Sequence, residues 1–293
     1  HLYRDRTSNL AMEHDRDSEV RAVCEASDVV IAVVGLDATL EGEEGDTGNE
    51  YGSGDKPNLN LPGLQPDIIR IAKESGKPVI VVLLAGSAMA LSWEDEHVDA
   101  ILDGFYPGAQ GGAAIAEILF GGANPEGKLP ITFYQTTEEL PEFTDYAMKG
   151  RTYRYMENEA LYPFGYGLSY TTYAYGNLEC VKPFDAQDGI TLQVTVTNTG
   201  DREGTETLQV YVKAKREGTP NPQLKYVKKI TLKPGESVTE EIHLSPEAFM
   251  LYDEKGNFTL EKGAYDIFVG GCQPDARSAA LTGNAPQKLT VTY

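Results

Sequence analysis

The sequence predicts an α/β domain, a mostly parallel sheet with helices on both faces, followed by an all-β immunoglobulin/fibronectin-III-like sandwich. Three observations carry this. Short apolar runs alternate with helical spacing up to about residue 134. From about residue 174 the pattern becomes period-two alternation broken by turn residues. The charge divides at the same place: residues 1–173 carry 29 acidic and 12 basic residues, net −17, and residues 174–293 carry 16 and 13, net −3. A chain of 293 residues has room for two domains, set here at 1–173 and 174–293.

In the first half, SEVRAVCEASD (18–28) has helical spacing, and DVVIAVVGL (28–36) is a β-branched apolar run suited to a strand buried on both faces. A polar, Gly-rich loop follows to about residue 62. LQPDIIRIAKESG (64–76) reads as a helix ending at Gly76, and KPVIVVLLAG (77–86) as a second buried strand. AILDGFYPG (100–108) gives a third strand, GAQGGAAIAEILFGG (108–122) a small-residue helix, and KLPITFY (128–134) a fourth strand. In such sheets ligands bind outside the carboxyl ends of the strands, where the loop after Leu36 begins.

In the second half, ITLQVTVTNTG (190–200), TLQVYVKA (207–214), YVKKITLKPGE (226–236), SVTEEIHLS (237–245) and AYDIFVGG (264–271) alternate as strands, with NTGD, KPGE and DEKGN as turns.

Composition removes several function classes. The net charge of −20 argues against nucleic acid or an anionic membrane surface as a partner. No stretch is apolar for the ~18–20 residues a membrane span needs. Cys24, Cys180 and Cys272 are far apart and in no C-x-x-C spacing, so neither a structural zinc nor a disulfide framework is expected. HLYRDRTSN at the start has the look of the middle of a longer protein, with any targeting signal upstream.

The loop after Leu36 holds LEGEEGD (40–46), three glutamates and an aspartate in seven positions. On composition alone a charge cluster in a loop is a solvated surface. Its place at the end of a buried strand makes it a site candidate, and neighbouring like charges raise one another's pKa, as a general acid requires. Elsewhere, the glycines of 104–134 match neither the P-loop nor the dinucleotide fingerprint, so nucleotide binding is not expected. Ser87 and Ser169 do not fit a nucleophile elbow. The tyrosine-rich segment GRTYRYMENEALYPFGYGLSYTTYAY (150–175) reads mainly as core at a domain junction.

Taken together, GLDATLEGEEGD, NLNLPGLQPDII, GFYPGAQGGAAIAEILFGGANPEGKLPITF and GRTYRYMENEALYPFGYGLSYT resemble the C-terminal half of glycoside hydrolase family 3. The last part, with LKYVKKITLKPGES (224–237), resembles that family's fibronectin-III-like domain, so the resemblance covers about residues 16–293. It implies an α/β sandwich packed on an N-terminal (β/α)8-type barrel, and a retaining mechanism that removes terminal sugars from a β-linked oligosaccharide or glycoside. It implies no metal or organic cofactor. The barrel would supply the nucleophilic aspartate, and the acidic loop of this chain the general acid/base. Without the barrel the chain is expected to be inactive.

Asp55-Lys56 and LPGLQ (61–65) match the later pieces of the family pattern, which puts Glu43 on the acid/base position. Glu41 matches the preceding acid and could instead position a sugar or partner; Glu44 is the other alternative, and the insertion 45–54 leaves Glu50 an outsider. LEGEE with GRTYRY resembles the β-xylosidase branch, ahead of β-glucosidase and α-L-arabinofuranosidase. Two other readings stand beside this one: a non-catalytic carbohydrate-binding or scaffolding module on the same fold, and an interaction protein using the β-sandwich. A soluble protein leaning to the cytoplasm is expected, and homo-oligomerisation is left open.

Overall fold

The computed structural model describes residues 16–37, 40–41 and 56–293. The chain divides into two compact units, one of residues 1–119 and 133–140, the other of 120–132 and 141–293.

The first unit runs α1 (Asp17–Glu25), β1 (Val30–Gly35), α2 (Gln65–Glu74), β2 (Val79–Leu84), α3 (Ser92–His97), β3 (Ala100–Asp103) and α4 (Gly111–Leu119). The strands form a parallel sheet in the order β1-β2-β3, with Val30 opposite Val79 and Ile80 opposite Ala100. β2 is central, and Val79, Val81, Val82 and Leu83 are wholly buried, as its unbroken apolar run requires. α1 turns Val20 and Cys24 inward, and α2 turns Ile69, Ile71 and Ala72. Pro66 at the start of α2 suits a position whose N–H has no helical partner, and Gly76 beyond its end takes φ 72°, the left-handed stop.

KLPITFY does not form the fourth strand expected of it. Phe133 makes only an isolated bridge, while the Leu129 N–H and carbonyl bond to Tyr166 and Gly165 in the second unit. Pro130 removes the next ladder donor, which stops a strand from extending there.

The second unit begins its regular structure with α5 (Thr152–Tyr155). It continues through β4 (Tyr173–Asp185), β5 (Gly189–Asn198), β6 (Gly204–Ala214), β7 (Gln223–Leu232) and β8 (Ser237–Leu244). The short hairpin β9 (Leu251–Tyr252) and β10 (Phe258–Thr259) follows, then β11 (Ala264–Gly270), α6 (Ala276–Thr282) and β12 (Gln287–Thr292). Two sheets result, β12-β11-β6-β7 and β4-β5-β8, antiparallel throughout. Alternate residues of facing strands fill the space between them: Ile190, Leu192, Val194 and Val196 from β5 meet Leu208, Val210 and Val212 from β6 and Ile267 and Val269 from β11. The turn residues behave as their chemistry demands. Gly235 of KPGE and Gly256 of DEKGN take φ near 74–80°, and Asp253 caps the second turn by accepting from Lys255 N and Asn257 N.

The tyrosine-rich segment is absorbed into this unit. Tyr153 stacks on Phe164 at 4.2 Å and meets Tyr211 edge-on, while Asn221 donates to the carbonyls of Tyr153 and Met156. Tyr162 stacks on Tyr166 at 5.7 Å and Tyr173 is buried, whereas Tyr170 is 45% exposed.

Candidate active site

β1 ends at Gly35, whose φ is 134°. A Cβ there would lie 2.1 Å from the Leu84 carbonyl oxygen, so only glycine lets the first two strands close up at this end. The Gly35 peptide is bracketed by the Gln65 side chain, which accepts from Gly35 N at 2.7 Å and donates to Gly35 O at 2.9 Å. Gln65 is the glutamine of LPGLQ. That motif therefore fixes the point at which the chain leaves the sheet.

Beyond Leu36, the Asp37 carbonyl accepts from both Leu40 N and Glu41 N at 2.9 Å, closing one turn, and Leu40 is buried beneath it. The turn aims the Glu41 side chain across the carboxyl ends of β2 and β3. Its Oε1 accepts from the Ser87 hydroxyl at 2.8 Å, and its Oε2 from the Tyr106 hydroxyl at 3.2 Å. Ser87 follows β2 and Tyr106 follows β3, so three successive strand ends converge on one carboxylate, in the place where such sheets hold ligands.

Lys56 completes the group. Its ammonium donates to Ser87 Oγ at 2.9 Å and to the Ala88 carbonyl at 3.3 Å, lies 3.0 Å from the Met89 sulfur, and stands 4.0 Å from Glu41 Oε1. Its side chain is only 9% exposed. Burial pushes its pKa down, and the Glu41 charge opposes that shift. Burial pushes the Tyr106 hydroxyl up, helped by the negative charge of Glu41.

Local backbone strain serves the same geometry. Phe105 sits at φ 48°, held by its N–H donating to Asp103 Oδ1 at 3.0 Å, and this kink brings Tyr106 over the sheet end. The ring lies so close to Gly86 that a Cβ there would fall 2.4 Å from it.

Of the acidic residues singled out in the sequence, Glu41 is thus placed at the sheet end. Glu43, Glu44 and Glu50 lie outside the described residues, as does Asp55. Sequence reasoning passed over Ser87 except as a nucleophile, and gave Tyr106 and Gln65 no role. Their only signal was position: Ser87 and Tyr106 each stand three residues past the end of a parallel strand. Among the described residues no three His, Cys, Asp or Glu side chains gather to hold a metal ion, and no helix is long and apolar enough to cross a membrane.

The described residues thus make a short parallel sheet with a carboxylate at its strand ends, followed by an antiparallel sandwich. Residues 4–170 match the glycosyl hydrolase family 3 C-terminal domain, and residues 206–273 a fibronectin type III-like domain. The chain belongs to glycoside hydrolase family 3. It is 41% identical over 258 residues to a xylan 1,4-β-xylosidase of Xylanibacter ruminicola, covering 86% of this chain and 30% of that protein. It is 38% identical over 269 residues to a periplasmic β-glucosidase of Salmonella typhimurium, covering 87% and 34%. A solved β-glucosidase of Erythrobacter marinus superposes with a TM-score of 0.79 at 31% identity, covering 98% of this chain and 38% of that one. The chain spans about a third of the length of these relatives.

Proposed function

We propose that this chain is the part of a retaining exo-β-glycosidase that supplies the general acid/base, and that an N-terminal (β/α)8-type barrel supplies the nucleophilic aspartate. The observation that carries this is the convergence of three strand ends on Glu41, immediately before the Gly-rich acidic segment. A retaining glycosidase needs two carboxyl groups about 5–5.5 Å apart, one to attack the anomeric carbon and one to protonate the leaving oxygen. The acidic segment provides the second. Glu43 is our choice for it, with Glu44 and Glu41 behind.

The reaction divides into two steps. The aspartate displaces the aglycone while the glutamate gives up its proton. The same glutamate, now a carboxylate, then takes a proton from the water that frees the sugar. A barrel seated over the segment would partly desolvate the glutamate and raise its pKa toward the working pH. We take residues 1–173 as the catalytic contribution and 174–293 as the sandwich that supports it.

For substrate we favour a terminal β-xyloside over a β-glucoside, on the LEGEE and GRTYRY stretches and on the 41% identity to the xylosidase. The test joins the chain to an upstream barrel and measures nitrophenol release from aryl β-xyloside and β-glucoside. The joined protein should hydrolyse both, the xyloside with higher kcat/KM, and the chain alone neither. Turnover by the chain alone, or a joined, folded protein inert on both, would overturn the reading.

A further inference from the structure

Both carboxylate oxygens of Glu41 are already taken as acceptors: Oε1 by Ser87, with Lys56 behind it, and Oε2 by Tyr106. This is a setting for an anion. A general acid must carry a proton and present it to the leaving oxygen, and neither oxygen here is turned to do so. The polarity of the chain of contacts is also fixed. The Lys56 ammonium has only protons to give, so Ser87 accepts from it at 2.9 Å and spends its own proton on Glu41 at 2.8 Å. The Ala88 carbonyl and the Met89 sulfur hold Lys56 from the other side.

Glu41 and Lys56 flank residues 42–55. One serine at the end of β2 therefore ties together the two points between which the acidic segment runs. Catalysis by a carboxyl on such a segment depends on placement to within about 1 Å.

We propose that Lys56, Ser87 and Tyr106 are positioning residues that hold Glu41 as an anion and clasp the two ends of the acidic segment, so that Glu41 is its anchor and another glutamate is the proton donor. The proposal rests on the reading of the segment as the source of the general acid.

The pH profile separates the two. In the barrel-joined protein, kcat/KM is measured across pH on a dinitrophenyl glycoside, whose phenolate leaves unprotonated, and on the glycoside of a weakly acidic phenol. Glu41→Gln, Lys56→Met and Ser87→Ala should each lose about 100-fold on the weakly acidic phenol, the cost of a misplaced acid, and little on the dinitrophenyl glycoside, while the fall of kcat/KM at high pH that marks an intact proton donor persists. Lys56→Arg should recover most, because a guanidinium can still donate to Ser87. In the isolated chain the Glu41 amide, bonded to Asp37 O, should exchange faster in Lys56→Met and Ser87→Ala. Ser87→Cys replaces the alanine variant if that one does not fold.

The proposal fails if Glu41→Gln abolishes the fall of kcat/KM at high pH, for then Glu41 is the proton donor. It fails equally if Lys56→Met and Ser87→Ala keep full activity and unchanged exchange. Glu43→Gln and Glu44→Gln, run alongside, report on the underlying reading. If neither discriminates between the two substrates, the segment does not hold the acid, whatever the clasp variants do.

Discussion

Gln65 reaches back to Gly35 and pairs with its peptide as another strand would, accepting from the nitrogen at 2.7 Å and donating to the oxygen at 2.9 Å. Gly35 is where the sheet hands the chain to the acidic segment. One amide side chain thus does the work of a missing ladder partner at the position that matters most for the site.

Replacing Gln65 by Leu should strip both bonds from a half-buried peptide and cost about 1–3 kcal/mol. Hydrogen exchange should show the loss concentrated at Gly35 and the following residues. Gln65→Glu should be no better, since a carboxylate cannot donate to the Gly35 carbonyl. Unchanged exchange at Gly35 in both variants would contradict the role.

Gly35 and Gly86 should respond differently to alanine. At Gly35 the new methyl would meet the Leu84 backbone oxygen at 2.1 Å with φ already at 134°, and neither can yield. Gly35→Ala should therefore destabilise the first unit by about 3 kcal/mol or more. At Gly86 the obstacle is the Tyr106 ring, a side chain, 2.4 Å away. Gly86→Ala should leave the fold intact and displace Tyr106 from Glu41, seen as a shift of the Tyr106 ring resonances.

The second unit carries a buried ion pair with a pH signature. Glu206, only 4% exposed, lies 3.9 Å from Lys128 and accepts from the Tyr175 hydroxyl at 3.3 Å. Burial raises its pKa despite the Lys128 charge. A carboxyl with a raised folded pKa binds its proton more tightly folded than unfolded. It therefore costs nothing below the ordinary glutamate range and weakens the fold as pH climbs through its higher folded value. Denaturation of the second unit should show stability falling over that interval, and Glu206→Gln should flatten the slope. Lys128→Met, which leaves the charge buried alone, should cost about 3–5 kcal/mol near neutrality.

Asp99 should work in the opposite sense in the first unit. Its carboxylate accepts from Val79 N at 2.9 Å and from Lys73 at 3.2 Å, and the backbone donor above all holds its pKa down. That stabilisation is present above the ordinary aspartate pKa and is lost as pH falls toward the lower folded value. Asp99→Asn should remove this acid-side loss from the unfolding profile of the first unit.

The sequence made some of this plain. The unbroken apolar runs at 28–36 and 77–86 read as strands buried on both faces and became the parallel strands β1 and β2, but only β2 is interior; β1 lies at the sheet edge, with Ile31 44% and Val33 61% exposed. β4 and β12 gave no such signal because each lies at the edge of its sheet with mostly solvated side chains, and β4 is further broken by bulges. KLPITFY looked like a strand because its apolar residues were right; the proline decided otherwise. In the site, charge density drew attention to 40–46, and family resemblance to Glu43. The partners of Glu41 stayed hidden. Ser87 and Tyr106 meet Glu41 only when three strand ends align, and no local pattern announces such a meeting.

The most direct test of the account concerns Glu43. In the barrel-joined protein, Glu43→Ala is assayed on an activated aryl glycoside with and without azide, and the product is examined. The account predicts near-complete loss on glycosides of weakly acidic alcohols. It also predicts restored turnover of the activated substrate by azide, with a β-glycosyl azide as product, since the intact aspartate still forms the glycosyl-enzyme that azide attacks. Undiminished hydrolysis by Glu43→Ala, or a loss that azide leaves untouched, would contradict the assignment of Glu43 as the acid/base.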